Sequence, residues 1–249
     1  MLRLLSAGGP LAPRRRLLEA AGSAAAALDA GTATWRACGL DAAQMHALAS
    51  APDDQRSLDW LAAPGHHLVG WNDPDYPALL RTAPRPPLAL FIAGEPSLLW
   101  HPSVAIVGSR SPTAGGRDNA AAFAGAFARS GLGVVSGLAL GVDAAAHRAA
   151  LDAGGVTVAV LGSGIDRAYP SRNRGLCADI AAAGAVVSEY RPGSVARAGH
   201  FPARNRIVAG LSLATLVVEA AMRSGALITA RLAADAGRDV FAVPGSIHN

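Results

Sequence analysis

Short apolar runs alternate with amphipathic segments from residue 103 onward, and this rhythm predicts the fold. Apolar runs that end at glycine or serine predict buried strands, and the segments between them predict helices. The predicted strands lie near 104–107, 134–135, 157–161, 185–187, 216–218 and 240–243, and the predicted helices near 119–130, 144–153, 176–183, 207–210 and 226–236. Buried strands alternating with helices indicate an α/β fold, an extended Rossmann-like parallel sheet with helices on both faces.

The first 60 residues have a helical rhythm. Short helices are predicted near 2–5, 14–21, 23–30 and 42–49, with Ser23 and Asp41 as caps and residues 14–16 exposed. Small helices joined by glycine turns resemble a sterile-alpha-motif-like or helix-hairpin-helix-like module. Pro10 lacks the N–H that a hairpin turn would donate to a DNA backbone, which favours a packing or interaction role.

The expected domains are therefore a helical module at 1–60, a Pro-rich connecting segment at 61–102, and a Rossmann-like domain at 103–249. The connecting segment holds two candidate strands, 67–71 and 88–92, and is predicted to pack on the main sheet.

Charge is unevenly distributed along this chain. Residues 1–100 hold 8 Arg and 9 acids, a net of −1, whereas residues 101–249 hold 14 Arg and 9 acids, a net of +5, and there is no lysine. The basic excess points to an anionic partner for the second part.

Cys38 and Cys177 have no CxxC or metal spacing and fit reduced thiols, which indicates a cytoplasmic protein. No apolar run is long enough to span a bilayer.

Candidate binding residues follow the predicted strands. The motif Phe201-Pro202-Ala203-Arg204-Asn205-Arg206 has an echo in Tyr169-Pro170-Ser171-Arg172-Asn173-Arg174. Arginine binds phosphate through a planar fork, and an aromatic ring stacks on a base, so two such loops suit single-stranded nucleic acid. Glycine turns at Gly108, Gly137 and Gly162 let backbone N–H groups approach phosphates. The alternative interpretation is that the arginines are solvated loop charges and the aromatics are core anchors.

Enzymatic interpretations have weaker support. The first turn, Gly108-Ser109-Arg110-Ser111, is not a dinucleotide G-x-G-x-x-G motif, and a chain without lysine has no P-loop. Asp143 and His147, one helical turn apart, allow an acid–base or metal interpretation, but an N-cap Asp143 with His147 bonded to it or to substrate is simpler. Glu189 and Glu219 can serve as general bases or pair with a loop arginine.

Residues 104–245 resemble the DNA-processing protein A (DprA, or Smf) family. The segments that carry the resemblance are Val107-Gly108-Ser109-Arg110, residues 135–143, Tyr169-Pro170 with Asn173, Ser188-Glu189-Tyr190, residues 201–207, residues 224–229 and Val243-Pro244-Gly245. The resemblance implies a non-enzymatic single-stranded DNA-binding protein without cofactor or metal. Such a protein acts in natural transformation, protects incoming DNA, loads the RecA recombinase, relieves inhibition by single-strand-binding protein, and forms a homodimer through the Rossmann domain.

Together, the residues and the resemblance define a predicted site. The predicted DNA- and phosphate-binding residues are Gly108, Ser109, Arg110, Ser136, Gly137, Gly141, Gly162, Arg172, Asn173, Arg197, Phe201, Arg204, Asn205, Arg206, Ser224, Gly225 and Thr229. Arg197 stands in for the basic residue that the family often has where this chain has Ala198. Members usually continue beyond the Pro-Gly element, with more of the Rossmann domain and sometimes a winged helix, so the resemblance implies a C-terminal truncation.

Two other functions are open on the sequence alone. A Rossmann-like nucleoside-monophosphate phosphoribohydrolase also binds phosphate in such turns, but its Pro-Gly-Gly-x-Gly-Thr-x-x-Glu signature is replaced here by Met222-Arg223-Ser224-Gly225-Ala226. A scaffold that binds only protein partners is the third option.

Overall fold

The computed structural model describes residues 1–50 and 54–245, and the chain begins with short helices. They are α1 (Leu2–Ser6), α2 (Leu11–Ala21), α3 (Ala24–Asp29), α4 (Gly31–Ala37), α5 (Ala42–Ser50) and α6 (Gln55–Leu61). The predicted caps are confirmed, because Ser23 Oγ accepts the N–H of Ala26 at 3.1 Å and Asp41 Oδ1 accepts that of Gln44 at 2.8 Å. The pattern does not predict α4, which lacks a side-chain cap.

A buried arginine holds the turn between the first two helices. The core of this module consists of Leu4, Leu17, Leu18, Ala27, Trp35, Leu40, Leu48 and Leu88. The prediction that residues 14–16 are exposed is wrong for Arg14, which is 7% exposed. Its guanidinium donates to the carbonyl oxygens of Leu4 at 3.0 Å and Gly9 at 3.1 Å. Carbonyls at a helix end need such donors, and arginine supplies five.

One eight-stranded sheet organises the remaining chain. Its strands are β1 (His66–Gly70), β2 (Ala89–Gly94), β3 (Ser103–Val107), β4 (Gly133–Ser136), β5 (Thr157–Val160), β6 (Ala185–Ser188), β7 (Ala214–Val217) and β8 (Asp239–Ala242). Their spatial order is β1-β2-β6-β5-β4-β3-β7-β8. β3 to β8 run parallel, as predicted, whereas β2 pairs antiparallel with both β1 and β6. The segment predicted to pack on the sheet thus supplies two of its strands, because β2 completes the hydrogen bonds of β6.

Helices cover both faces of the sheet. They are α7 (Ala78–Thr82), α8 (Ala114–Arg129), α9 (Val142–Asp152), α10 (Arg174–Ala183), α11 (His200–Gly210) and α12 (Gly225–Asp235). Alternate residues of β3 separate the two layers: Val104 and Ile106 pack with α8 and α9, and Ala105 and Val107 pack with α11. The predicted loop at 201–206 is wrong, since these residues form the first turns of α11. Proline is tolerated there because the first turn does not use its N–H.

The order of the strands places a crevice beside β3. The chain builds outward through β4, β5 and β6 on one side of β3, and returns to place β7 and β8 on the other side. The loops that follow β3 and β7 therefore diverge at a topological switch point, where ligands of open α/β sheets bind. Within the described ranges, no helix is both long and apolar enough to span a bilayer. Residues 51–53 and 246–249 lie outside the described part, and the expected C-terminal truncation stays a prediction.

Candidate functional site

A cavity of about 820 Å³ lies at the switch point, and we call it the switch cavity. The loop after β3 contributes residues 107–111, and the segment that enters α12 contributes residues 224–226. The first turns of α11 supply Phe201, Arg204 and Asn205, and the loop before α11 supplies residues 196–198. The structure thus brings together residues that are separated by more than 100 positions in the sequence. Its volume falls in the range of about 300–1,000 Å³ that is typical of ligand sites.

An exposed arginine and two aromatic rings stand together in this cavity. The guanidinium carbon of Arg110 lies 5.9 Å from the ring centroid of Phe201. The ring of Tyr169 tilts against that of Phe201, with centroids 5.2 Å apart, and 52% of Tyr169 is exposed. Among the described residues, no hydrogen bond or ion pair engages the Arg110 side chain, so its donors face solvent. A free guanidinium beside accessible rings can bind a phosphate and a base together.

Gly162 lets the Phe201 ring approach the backbone closely. A Cβ at Gly162 would lie 2.8 Å from Cδ1 and 3.2 Å from Cε1 of Phe201. The absent side chain lets the ring lie directly on the backbone at the end of β5. The Phe201 ring thus occupies the side-chain position of Gly162, and phosphate binding by the backbone of this turn stays a prediction.

The turn after β4 already binds an internal anion. The N–H groups of Gly137 and Ala139 donate to Asp143 Oδ2 at 3.1 and 3.2 Å. The prediction that Asp143 caps α9 is wrong, since Gly141, with φ of 81°, is the N-cap. A carboxylate thus occupies the position where a phosphate was expected, and both N–H groups are engaged. Burial raises the pKa of Asp143, and the charge of Arg204 opposes this effect.

Arg204 is a buried cation rather than a surface one. Only 5% of it is exposed, its Nη1 donates to the carbonyl oxygens of Gly137 and Val160, and its Nε donates to Asn205 at 3.2 Å. Its guanidinium fills the space where a Cβ of Gly137 would lie. Burial lowers the pKa of Arg204 to about 10, so it stays charged near neutral pH. Within residues 1–50 and 54–245, Nη2 has no hydrogen-bond partner.

Six predicted residues do not line the switch cavity, namely Ser136, Gly141, Gly162, Arg172, Asn173 and Arg206. Arg206 forms two hydrogen bonds to Glu189, at 2.7 and 2.6 Å. Arg172 is exposed on a short 3₁₀ turn and does not line the cavity. Asn173 is buried and donates to the carbonyl oxygens of Leu138 and Ala139 at 2.9 and 3.2 Å, so it braces the turn after β4 from behind.

Further predicted residues form the walls of the switch cavity where α11 meets α12. Asn205 Nδ2 donates to the Gly225 carbonyl at 3.1 Å and so joins α11 to α12, and Thr229 Oγ1 donates to the same carbonyl at 3.3 Å. Ser224 Oγ is buried without a hydrogen-bond partner in the described part of the chain. Arg197 is exposed and lines the cavity.

The turn after β3 packs tightly below the cavity. Ser136 Oγ donates to the carbonyl of Ile106 at 2.6 Å. A Cβ at Gly108 would lie 2.6 Å from Val142 Cγ2, so glycine permits close packing of the turn against α9. Ser109 Oγ accepts the N–H of Ser111 at 3.1 Å.

Each candidate catalytic group makes at least one hydrogen bond within the described residues. His147 is bonded to Thr157 Oγ1 at 2.7 Å, not to Asp143, and burial lowers the pKa of His147 to about 3. Glu219 accepts the N–H of Thr113 at 3.1 Å and its hydroxyl at 2.7 Å, so it holds the start of α8. Sequence reasoning missed the role of Asp143. A signal was present in the acid that follows the Gly137 turn by six residues.

The fold and the cavity define a class: a Rossmann-like protein with a cationic, aromatic site at the switch point. A family model for DNA recombination-mediator protein A matches residues 67–249. The chain belongs to this family, as the sequence resemblance implied.

Relatives in sequence and structure agree with this assignment. Protein Smf of Synechocystis is 50% identical over 182 residues, which cover 70% of this chain and 45% of that protein. DNA processing protein DprA of Streptococcus pneumoniae is 49% identical over 161 residues, which cover 65% of this chain and 57% of that protein. The chain thus spans about half the length of these curated relatives.

Two solved structures share the architecture. The X-ray structure of S. pneumoniae DprA superposes with a TM-score of 0.87 at 37% identity, covering 98% of this chain and 86% of that chain. The structure of DNA processing protein A from Helicobacter pylori was solved for its single-stranded DNA binding mode. It superposes with a TM-score of 0.66 at 33% identity, covering 70% of this chain and 80% of that chain.

Proposed function

We propose that this chain binds single-stranded DNA in the switch cavity and acts, without catalysis, in the processing of DNA taken up during natural transformation. The observation that carries the proposal is the free guanidinium of Arg110 over Phe201, with exposed Tyr169 beside them. Duplex DNA keeps its bases stacked inside, whereas a single strand presents base faces to such rings. The H. pylori relative supports this assignment through its single-stranded DNA binding mode.

The wider activities follow from family membership and form part of the proposal. They are protection of incoming DNA, loading of RecA, relief of inhibition by single-strand-binding protein, homodimer formation through the Rossmann domain and action in the cytoplasm. The net charge of +5 on residues 101–249 supports a nucleic-acid partner.

The hydrolase alternative requires a free carboxylate as general base, and both candidate glutamates are already engaged. Glu189 is paired with Arg206, and Glu219 is bonded to Thr113, and neither lines the switch cavity. A general base needs an acceptor within reach of the reacting group. Incubation with nucleoside monophosphates tests this alternative, and free base that disappears in Glu189→Gln or Glu219→Gln would favour the enzyme.

A titration of labelled oligo-dT against duplex of equal length, with and without RecA, tests the main proposal. We expect tighter binding of oligo-dT, with a log–log salt slope of about −0.7 for each phosphate contacted. Arg110→Ala should reduce that slope by about 0.7, for every base sequence alike, because a phosphate contact carries no base information. Phe201→Ala should weaken binding by about 1–3 kcal/mol through lost stacking.

Arg129→Ala is the matched control, because Arg129 is exposed at the end of α8 and does not line the cavity. Equal losses in Arg110→Ala and Arg129→Ala would show that general charge, not the switch cavity, governs binding. No binding of oligo-dT by the unaltered protein would leave the scaffold or hydrolase interpretation.

A further inference from the structure

A second cavity, of about 720 Å³, adjoins the switch cavity. Tyr169 and Ala196 line both spaces, so one exposed aromatic ring forms the ridge between them. The far wall of this second cavity comes from α6 and β1, and the near wall from the loop after β5 and from α10. It therefore lies where the N-terminal part of the chain meets the Rossmann-like sheet, at a place that the predicted site does not include.

The second cavity carries a net positive charge. Arg56, Arg167 and Arg174 line it, together with a single acid, Asp166. Asp166 is neutralised by Arg56, whose Nη2 lies 2.7 Å from the carboxylate. Arg167 and Arg174 are exposed, and neither has a side-chain hydrogen bond or ion pair in the part of the chain that the structure describes. Two free guanidiniums in one cavity suit the phosphates of an anionic ligand.

The wall behind these arginines is apolar and partly aromatic. The ring of His66 stacks on Trp60, with centroids 3.9 Å apart and an interplanar angle of 8°. Ile165 and Val186 also line this wall. Cationic groups at the rim and flat or apolar groups behind them match a nucleotide, which has a charged backbone and a planar base.

We propose that a single DNA strand bound in the switch cavity continues over Tyr169 into the second cavity. There Arg167 and Arg174 bind successive phosphates, and a base packs against the wall formed by Trp60 and His66. This inference rests on the proposed function and extends it, because it assigns a longer binding track that crosses from the sheet to the N-terminal part. The continuity of the two cavities at Tyr169 and their common charge sign carry the argument.

Affinity as a function of strand length tests the track. Oligo-dT from about 4 to about 30 nucleotides is titrated against the unaltered protein, Arg167→Ala/Arg174→Ala, and the control Arg36→Ala/Arg129→Ala. The control removes two exposed helical arginines that line neither cavity. For long strands, the test variant should lower the log–log salt slope by about 1.4, two phosphates at about 0.7 each. The shortest strands fill only the switch cavity, so they should bind the test variant as tightly as they bind the unaltered protein.

A thiol footprint gives a second measurement on the unaltered sequence. Cys177 lines the second cavity, whereas Cys38 lies in the helical module. Burial raises the pKa of Cys177 to about 11, so alkylation is followed at about pH 9 to obtain a measurable rate. Long oligo-dT should slow alkylation of Cys177 and leave that of Cys38 unchanged, and short oligo-dT should protect neither.

Distinct results identify which proposal fails. If long strands bind the test variant and the control equally well, or leave Cys177 unprotected, the second cavity is not part of the track while the proposed function stands. If the test variant loses affinity equally for the shortest strands, its arginines act only through general charge, and the inference is again wrong. If the unaltered protein binds no strand of any length, the proposed function fails and the track fails with it.

Discussion

Removal of the Asp143 carboxylate is the most informative perturbation of the site. In the structure this side chain accepts N–H groups from Gly137 and Ala139 and offsets the charge of buried Arg204. Asp143→Ala leaves two turn N–H groups without an acceptor and removes a negative charge that favours the charged form of Arg204. A buried donor left without its partner costs about 1–3 kcal/mol. We expect a loss of that size in the free energy of unfolding, measured by urea denaturation.

The same variant should open an anion site. With the carboxylate absent, the two N–H groups face a space that a small carboxylate can fill, and the charge of Arg204 favours an anion there. We therefore expect formate to raise the stability of Asp143→Ala, by about 2.7 kcal/mol at a concentration 100 times its dissociation constant. Chloride at equal ionic strength, and formate with the unaltered protein, should have much smaller effects.

Two results would refute this reasoning. A loss in Asp143→Ala no larger than that in Asp118→Ala, which alters an exposed acid on α8, would mean that Asp143 does not compensate Arg204. Equal stabilisation by formate in all variants would indicate a general solvent effect rather than an occupied site.

Two further predictions concern packing and pH. Gly162→Ala should destabilise the fold by about 1–3 kcal/mol through overpacking against Phe201 and should also weaken oligo-dT binding. The control Gly175→Ala, which has open space around its Cα, should change neither property. Thermal melting measures the stability of each variant, and titration measures its binding of oligo-dT. His147 has a folded pKa of about 3 against an ordinary 6.5, so its contribution to stability is complete above pH 6.5 and declines as the pH falls towards 3. The loss should approach about 3 kcal/mol by pH 4. Urea unfolding at a series of pH values should show that the free energy of unfolding depends less steeply on pH in His147→Gln.

The pattern of the chain was sufficient for the architecture. Apolar runs separated by amphipathic segments predicted six strands and their helices, and these are β3 to β8 with α8 to α12. Periodicity is a local property, so it can be read without knowing which elements pack together. The motifs after the strands were also readable, and the family they implied is confirmed. The binding roles of the individual residues stay predictions.

Only the tertiary structure decided how each side chain is used. Arg204 and Arg206 are two positions apart in one motif, yet one is buried beside Gly137 and the other pairs with Glu189. Their helical placement points them in different directions, which a loop interpretation could not show. Of these three residues, Arg110 is the one whose side chain is exposed, and within the described residues it makes no hydrogen bond. Whether a charge meets solvent, a carbonyl or a counter-charge depends on segments far apart in sequence, and those meet only when the strands align their carboxyl ends.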